Sequence, residues 1–481
     1  MKVVIVHYHL RPGGVTTVIR RHLDACSRSG IEAFLVSGEE PPEAPGVPFE
    51  TVAGLAYDPP GAAFPAESAR DRGNALARSL ADAAGRLCGG GPYLFHVHNP
   101  TIRKNAALCP ALSVLAGDGA RILIQAHDFA EDWRPEVLPA GPAYPADCRW
   151  AVLNGRDYRA LRTAGVPAES LELLPNPLPE PSPAVPGGAA AAGPRPGADL
   201  VLYPVRGIAR KNLGEFLLLA RWLPPGLSGA VTLPPNNPKD FPLYEAWKSL
   251  ARETGVPVSF EAGQTAPLDD LYARARAAVT TSVKEGFGFS FLEPLARGVP
   301  VAGRRLPSIV PDFEAAGISF PGLYPALRVP EGLYSREAFG VRLDAALASV
   351  SAAFSAALGG EPDWLSGRMA RVREAALPEE GADFGVLDTA AQAEVLGRLY
   401  RDPEAAAALE AANPFLPSWW DLPAPGPTDL AALSGYSPAL CAGRLAGAYE
   451  RTLAGGGSPA PDRRILAREL LVPEGFFCPG L

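Results

Sequence analysis

Lysine is nearly missing from this chain: of 44 basic residues only six are Lys, and the rest are Arg. A lysine that persists in such a background marks a place where a compact ammonium serves better than a planar fork. Three of the six, Lys104, Lys211 and Lys284, fall inside motifs described below. Paired cysteines are missing too. Cys26, Cys88, Cys109, Cys148, Cys441 and Cys478 are scattered without a C-x-x-C, which argues against a zinc or disulfide framework and for free thiols in a reducing, cytoplasmic setting. No apolar run exceeds strand length, so no transmembrane segment is expected, and the opening Met1-Lys2-Val3-Val4-Ile5-Val6 reads as a strand rather than a signal peptide. There is no basic excess: the net charge of −8 gives no footprint for nucleic acid or anionic membrane. No G-x-G-x-x-G follows the first strand, which weakens a dinucleotide-dependent dehydrogenase. No Asp, His or Cys cluster has metal-ligand spacing. No metal and no cofactor are therefore expected.

What is present is strand–helix alternation. At 481 residues the chain is too long for one ordinary core, and its 47% apolar and 20% charged residues suit a globular protein of two or three domains. Strands read at residues 3–9, 32–37, 49–52, 93–98, 121–127, 150–153 and 171–174, with helices at 14–29, 67–88, 105–117 and 155–164. This alternation predicts a doubly wound parallel sheet over residues 1–178. Residues 179–198, rich in Pro, Gly and Ala, read as a linker. A second series covers 199–330, with strands at 200–205, 230–233, 258–261, 278–283 and 299–302 and helices at 213–223, 242–254, 267–277 and 290–297. Two such α/β halves are expected to face a cleft at the carboxyl ends of their sheets. Residues 331–481 read as a helical extension that packs on the second half and crosses back to the first.

The most informative stretch is Lys284-Glu285-Gly286-Phe287-Gly288-Phe289-Ser290-Phe291-Leu292-Glu293-Pro294. Pro294 is tolerated only in a first helical turn, so a helix starts near Ser290. A strand, a glycine-bearing turn and a helix N-terminus in that order make a phosphate site, because unpaired N–H groups and the macrodipole both point at the ligand. Glu285 and Glu293 flank it as acceptors for sugar or ribose hydroxyls. The structural alternative is that Ser290-x-x-Glu293 is only a capping box. Arg206 and Lys211, in Arg206-Gly-Ile-Ala-Arg210-Lys211-Asn212, end another strand and could clamp a diphosphate, or could be a solvated turn. Gly13-Gly14 permits φ > 0 and close backbone approach after the first strand. His98 and His127 each end a strand, with Arg103 and Lys104 following the first of them.

These motifs together resemble glycosyltransferase family 4, retaining enzymes of the GT-B fold. The resemblance covers residues 1 to about 310 and is most specific at 203–214 and 284–302. It implies that Arg206 and Lys211 bind the donor diphosphate, that Glu285 holds the donor sugar and that Glu293 holds the ribose. It places Gly13, Gly14, Phe287, Gly288, Phe289 and Ser290 against the donor and brings His127 near the reacting carbon. His98 would line the side of a small acceptor; Arg103 and Lys104, which follow it, could hold an anionic acceptor or could be solvated charges. The implied activity is retaining transfer of a hexose from a nucleotide diphosphate sugar. A retaining phosphorylase of the same fold and a non-catalytic sugar-binding relative are the alternatives. Gly303-Arg304-Arg305 stands where the family has a Gly-rich turn, which leaves open the backbone contacts to the donor there.

Overall fold

The structure, a computed structural model, describes residues 1–59, 66–102, 104–138, 144–179 and 197–478. Most of the expected linker at 179–198, and Arg103, lie outside the described residues. The chain forms two compact units. The first is Met1–Pro179 with Val350–Leu365 and Tyr436–Val472; the second is Glu180–Ser349 with Ser366–Gly435 and Pro473–Leu481.

The first unit is built on seven strands: β1 (Lys2–His7), β2 (Glu32–Ser37), β3 (Phe49–Thr51), β4 (Tyr93–His98), β5 (Arg121–Ala126), β6 (Arg149–Val152) and β7 (Leu171–Leu173). They pair in the order β3-β2-β1-β4-β5-β6-β7, every pair parallel. Parallel strands buried on both faces need apolar residues at nearly every position, which is how Val3–Val6 is spent. Val4, Val6, Phe95 and Val97 meet one layer of helices, α2 (Ala66–Cys88) and α3 (Leu108–Gly117), joined by Leu466 and Leu470 of the helix Arg463–Leu470. Val3, Ile5 and Leu94 meet the other layer, α1 (Gly14–Arg28) and the helix Pro438–Ala454. Each large side chain so buried contributes about 1.5–3 kcal/mol. The helix α4 (Gly155–Thr163) starts on a true N-cap, Asn154, whose side chain accepts from the Asp157 N–H.

The second unit repeats the plan with β8 (Leu200–Arg206), β9 (Ser228–Leu233), β10 (Val258–Ser259), β11 (Ala275–Thr280), β12 (Val301–Arg304) and β13 (Gly322–Tyr324). Their order is β10-β9-β8-β11-β12-β13, again all parallel. The helices between them are α5 (Leu213–Leu219), α6 (Phe241–Thr254), α7 (Ala262–Thr265), α8 (Leu268–Ala273), α9 (Phe289–Ala296) and α10 (Val310–Ala315). In both sheets the order reverses beside the first strand of the unit. That switch opens a crevice between β1 and β4, and another between β8 and β11.

Several expected boundaries move. The helix expected over 267–277 stops at Ala273, because Ala275 already pairs with Leu200 in the sheet. The strand expected at 278–283 therefore starts and ends three residues earlier. Residues 281–283 leave the ladder, and the Val283 N–H donates to the Arg210 carbonyl at 3.0 Å. The strand expected at 299–302 is Val301–Arg304, so Gly303 and Arg304, read as a turn, are in the sheet. Among the described residues one helix, Arg336–Ala357, is long and apolar enough by length and composition to cross a membrane. It buries Phe339, Leu343 and Leu347, and its Arg342 and Asp344 form ion pairs with Asp388 and Arg373.

Gly303 has φ +128°, and a Cβ there would stand 2.0 Å from the Thr280 carbonyl oxygen of the adjacent strand. Neither the backbone angle nor the neighbouring backbone can yield cheaply. Gly303→Ala should lower stability by about 2–4 kcal/mol, combining strain with overpacking. A urea midpoint within error of wild type would contradict this.

Candidate functional site

In the second unit the two loops at the switch point carry the residues singled out above. Arg206 ends β8 and the loop after it holds Arg210, Lys211 and Asn212; the loop after β11 runs from Thr281 to Gly288. The two are laced together by backbone and hydroxyl contacts. Thr281 Oγ1 donates to the Lys211 and Asn212 carbonyls at 3.0 and 2.9 Å. The fully buried Tyr203 hydroxyl also donates to the Lys211 carbonyl. Arg210 donates to the Lys284 carbonyl at 2.9 Å. Asn212 takes a left-handed conformation, φ 54° and ψ 54°, which turns the chain directly into α5.

At the centre of this lacing is Glu285, 8% exposed. Its Oε1 accepts from Lys211 Nζ and its Oε2 from Arg210 at 3.2 Å. Burial pushes this carboxyl up, but Lys211 and Arg210 outweigh burial and hold it at about 2. Glu285 is thus a carboxylate at any ordinary pH, and Lys211 is held against it. Arg206, half-buried, donates to the Pro234 carbonyl at 3.1 Å.

The N-cap of α9 is Gly288, φ 98°, with no side-chain cap. The capping box offered by Ser290-x-x-Glu293 is therefore not formed. Ser290 instead shares a hydrogen bond with the Thr280 hydroxyl at 3.2 Å, and Glu293 is half-buried one turn into the helix. A Cβ at Gly288 would meet Ile309 Cδ1 at 2.6 Å, so the tight turn is fixed by packing as well as by φ. Phe287 is buried, edge-on to Phe289 and Phe313, while Phe289 is half-buried.

Behind these loops lies a group of residues that the sequence reading did not assign. Arg304 donates to Glu215 and to Asp383, all within 3.2 Å, and the Tyr324 hydroxyl donates to Glu215 at 2.6 Å. Glu215 also accepts from the Asn212 amide at 2.7 Å, and Gln392 donates to Asn212 Oδ1 at 3.0 Å. The only sequence signal was the unusual Gly303-Arg304-Arg305 itself. Asp383 and Gln392 sit far along the chain, with nothing local to mark them.

In the first unit the switch point holds Gly13-Gly14 after β1 and His98 at the end of β4. Gly13 has φ 178°, which any residue can adopt, and Gly14 is not at positive φ. The expected φ > 0 is thus corrected. Both are exposed, and a Cβ on Gly14 would meet nothing within 4 Å, so the open space beside the pair remains. His127 is 5% exposed, with Nε2 at 2.9 Å from His98 Nδ1. Burial lowers His127 to about 4, so its ring is neutral near pH 7. His98 is fully buried beneath His127, not at the surface. Lys104 is half-buried, with Nζ 5.6 Å over the Tyr57 ring.

No protein-family model matches this chain. A curated relative, the mannosylglucosyl-3-phosphoglycerate synthase of Petrotoga mobilis, is 27% identical over 251 residues, covering 46% of this chain and 48% of the relative. The matched region spans about half of that protein's length. Among solved structures, HepE of Anabaena in complex with UDP superposes with a TM-score of 0.50 at 12% identity, covering 93% of this chain and 99% of that one. Sucrose-phosphate synthase of Thermosynechococcus elongatus gives 0.45 at 16% identity, over 84% and 99%. With its two Rossmann-like parallel sheets and helical C-terminal region, the chain has the GT-B fold.

Glu285 gives a pH test. Its value drops from 4.5 in the free state to about 2 in the folded one, so its contribution is complete above pH 4.5 and disappears as pH falls to 2. The stability advantage of wild type over Glu285→Gln should accordingly shrink across that window. A gap that stays constant between pH 5 and pH 2 would mean that Glu285 is not held ionised by its neighbours.

Proposed function

We propose that the chain is a glycosyltransferase that moves a hexose from a nucleotide diphosphate sugar to a small anionic acceptor, with retention of anomeric configuration. The observation that carries this reading is the Lys211–Glu285 pair at the β8/β11 switch point, beside the uncapped N-terminus of α9. A cation for phosphate, a carboxylate for sugar hydroxyls and the positive end of a helix macrodipole meet there. In this reading Arg206 and Lys211 hold the donor diphosphate. Glu285 accepts from hydroxyls of the donor sugar, Glu293 from the ribose, and Gly288, Phe289 and Ser290 bring backbone N–H groups to the phosphates. Phe287 shapes the turn.

The chemistry divides naturally. The bond between the anomeric carbon and the phosphate oxygen breaks, and the negative charge that develops on the diphosphate is met by Arg206 and Lys211. The acceptor oxygen bonds to the same face of that carbon, and its proton passes to a departing phosphate oxygen.

Lys211→Ala should lose roughly two to three decades in kcat, as when one oxyanion donor is removed, and should fold with lower stability because only Arg210 is left beside Glu285. Turnover near wild type in a folded variant would remove the basis of this assignment.

The acceptor reading rests on Arg103 and Lys104, which follow β4 in the first unit. The name of the Petrotoga mobilis relative contains a phosphoglycerate, a group bearing both phosphate and carboxylate. That supports an anionic acceptor for this chain as well. A charge-assisted contact is worth about 1.5–3 kcal/mol, or one to two decades in affinity. The double change Arg103→Ala, Lys104→Ala should raise acceptor KM at least tenfold and leave donor KM unchanged. Equal use of a neutral acceptor by both proteins would show the pair to be solvated charge.

A further inference from the structure

All six histidines of the chain lie in the first unit, and four of them touch one another inside it. His96 and His98 are two apart on β4, so they project from one face of the sheet. His22 reaches the same place from α1, the helix that covers that face. The His22 ring stacks on His96 at 5.5 Å between centroids and lies 5.4 Å from His98; His96 and His98 are 4.2 Å apart. One ring nitrogen from each of the three lies within 4.8 Å of the other two.

Two of the nitrogens are orphans. His22 Nδ1 and His98 Nε2 have no hydrogen-bond partner, on side chains that are 1% and 0% exposed. Leaving a buried polar atom unpaired costs about 1–3 kcal/mol, so these two orphans on neighbouring rings call for a partner. Burial lowers all three rings, which leaves them neutral with lone pairs to give.

We propose that His22, His96 and His98 form a buried site for a divalent transition-metal ion of the zinc class. Imidazole nitrogens suit such ions, and three histidines with water in the fourth position is an established zinc coordination. No carboxylate lies among the three rings, so a bound water that ionises would be the means of reducing the buried charge.

The surrounding partners fit ligands held by outer hydrogen bonds. His96 now has Tyr449 Oη at 2.8 Å on Nδ1 and Gln125 Oε1 at 3.0 Å on Nε2. One of these would give way to the ion while the other keeps the ring oriented. His98 Nδ1 faces His127 Nε2 at 2.9 Å. An ion on His98 Nε2 requires the proton on Nδ1, so His98 becomes the donor and His127 Nε2 the acceptor. The site would thereby set the tautomer of His127 without touching any substrate. The three rings are enclosed, so the ion would be taken up as the chain folds.

The test is to refold the full chain from denaturant with Co2+ as the probe, desalt it and measure cobalt by elemental analysis and visible ligand-field absorption. One Co2+ per chain, with a low-coordinate spectrum and a Tm above that of protein refolded with chelator, is expected. His22→Leu should lose the cobalt and its spectrum while keeping the far-ultraviolet circular dichroism of wild type. Should that variant fail to fold, His22→Gln and the wild-type comparison of loaded and chelated Tm give the same decision. Wild type that refolds without stoichiometric cobalt would overturn the proposal and leave an ordered water as the shared partner. Cobalt retained by a folded His22 variant would overturn it too, by placing the ion elsewhere.

Discussion

A carboxylate taken almost wholly out of water must be met by positive charge, and in the second unit Glu285 is met by Lys211 and Arg210. The change from 4.5 to about 2 corresponds to about 3 kcal/mol in favour of the ionised form. Its structural consequence is wider than its energy. The loops after β8 and β11 leave neighbouring strands at the point where the sheet reverses its order, so the folds of their helices draw them apart. The Glu285 cluster, with Thr281, Tyr203 and the Val283 N–H, draws them together. Removing either partner of such a buried pair leaves a charge without compensation, which is costlier than losing the pair as a whole.

Asn212 transmits this arrangement inward. It takes a left-handed backbone directly after Lys211, a conformation that costs a non-glycine residue about 1–3 kcal/mol unless its surroundings enforce it. Glu215 and Gln392 enforce it from two sides, and Arg304 with Asp383 fixes Glu215 in turn. Burial, with the nearby Asp383, pushes the Glu215 carboxyl up against the pull of Arg304. A lysine whose backbone is set this way enters the site with few conformations left to lose. The backbone next to Lys211 is therefore set in part by Asp383 and Gln392, which are 172 and 181 residues away in sequence (383 − 211 and 392 − 211).

The same distances explain what could be read from the sequence. Parallel strands buried on both faces announce themselves as apolar runs, so the two α/β series were legible almost strand by strand. The expected start of α9 near Ser290 falls within a residue of Phe289, although Pro294 lies inside the helix and not in its first turn. Errors arose where pairing, rather than composition, decides. Nothing local says that Ala275 is the residue that meets Leu200, and so the end of α8 and the register of β11 were missed. Gly303-Arg304 reads as a turn by composition, yet it is strand because Glu215 and Asp383 neutralise the arginine inside the sheet. Of the candidate site, Lys211 and Glu285 were legible because each lies in a short loop between a strand and a helix start. Asn212 and Thr281 were not, since their work is done by backbone conformation and by contacts to carbonyls.

The histidines show the same limit from the opposite direction. Residues 22, 96 and 98 have no ligand spacing in the sequence, since a helix and a strand separated by two further strands supply them. Only the order β2-β1-β4 brings α1 over β4, and only the period of two puts His96 and His98 on the face that α1 covers. Apolar residues would fill that face without cost, as Leu94 does on the same strand. Imidazoles in that position must be hydrogen-bonded, coordinated or destabilising. Tyr449 and Gln125 satisfy His96, and His127 satisfies one nitrogen of His98. His22 Nδ1 and His98 Nε2 remain without a partner, and packing alone does not explain them.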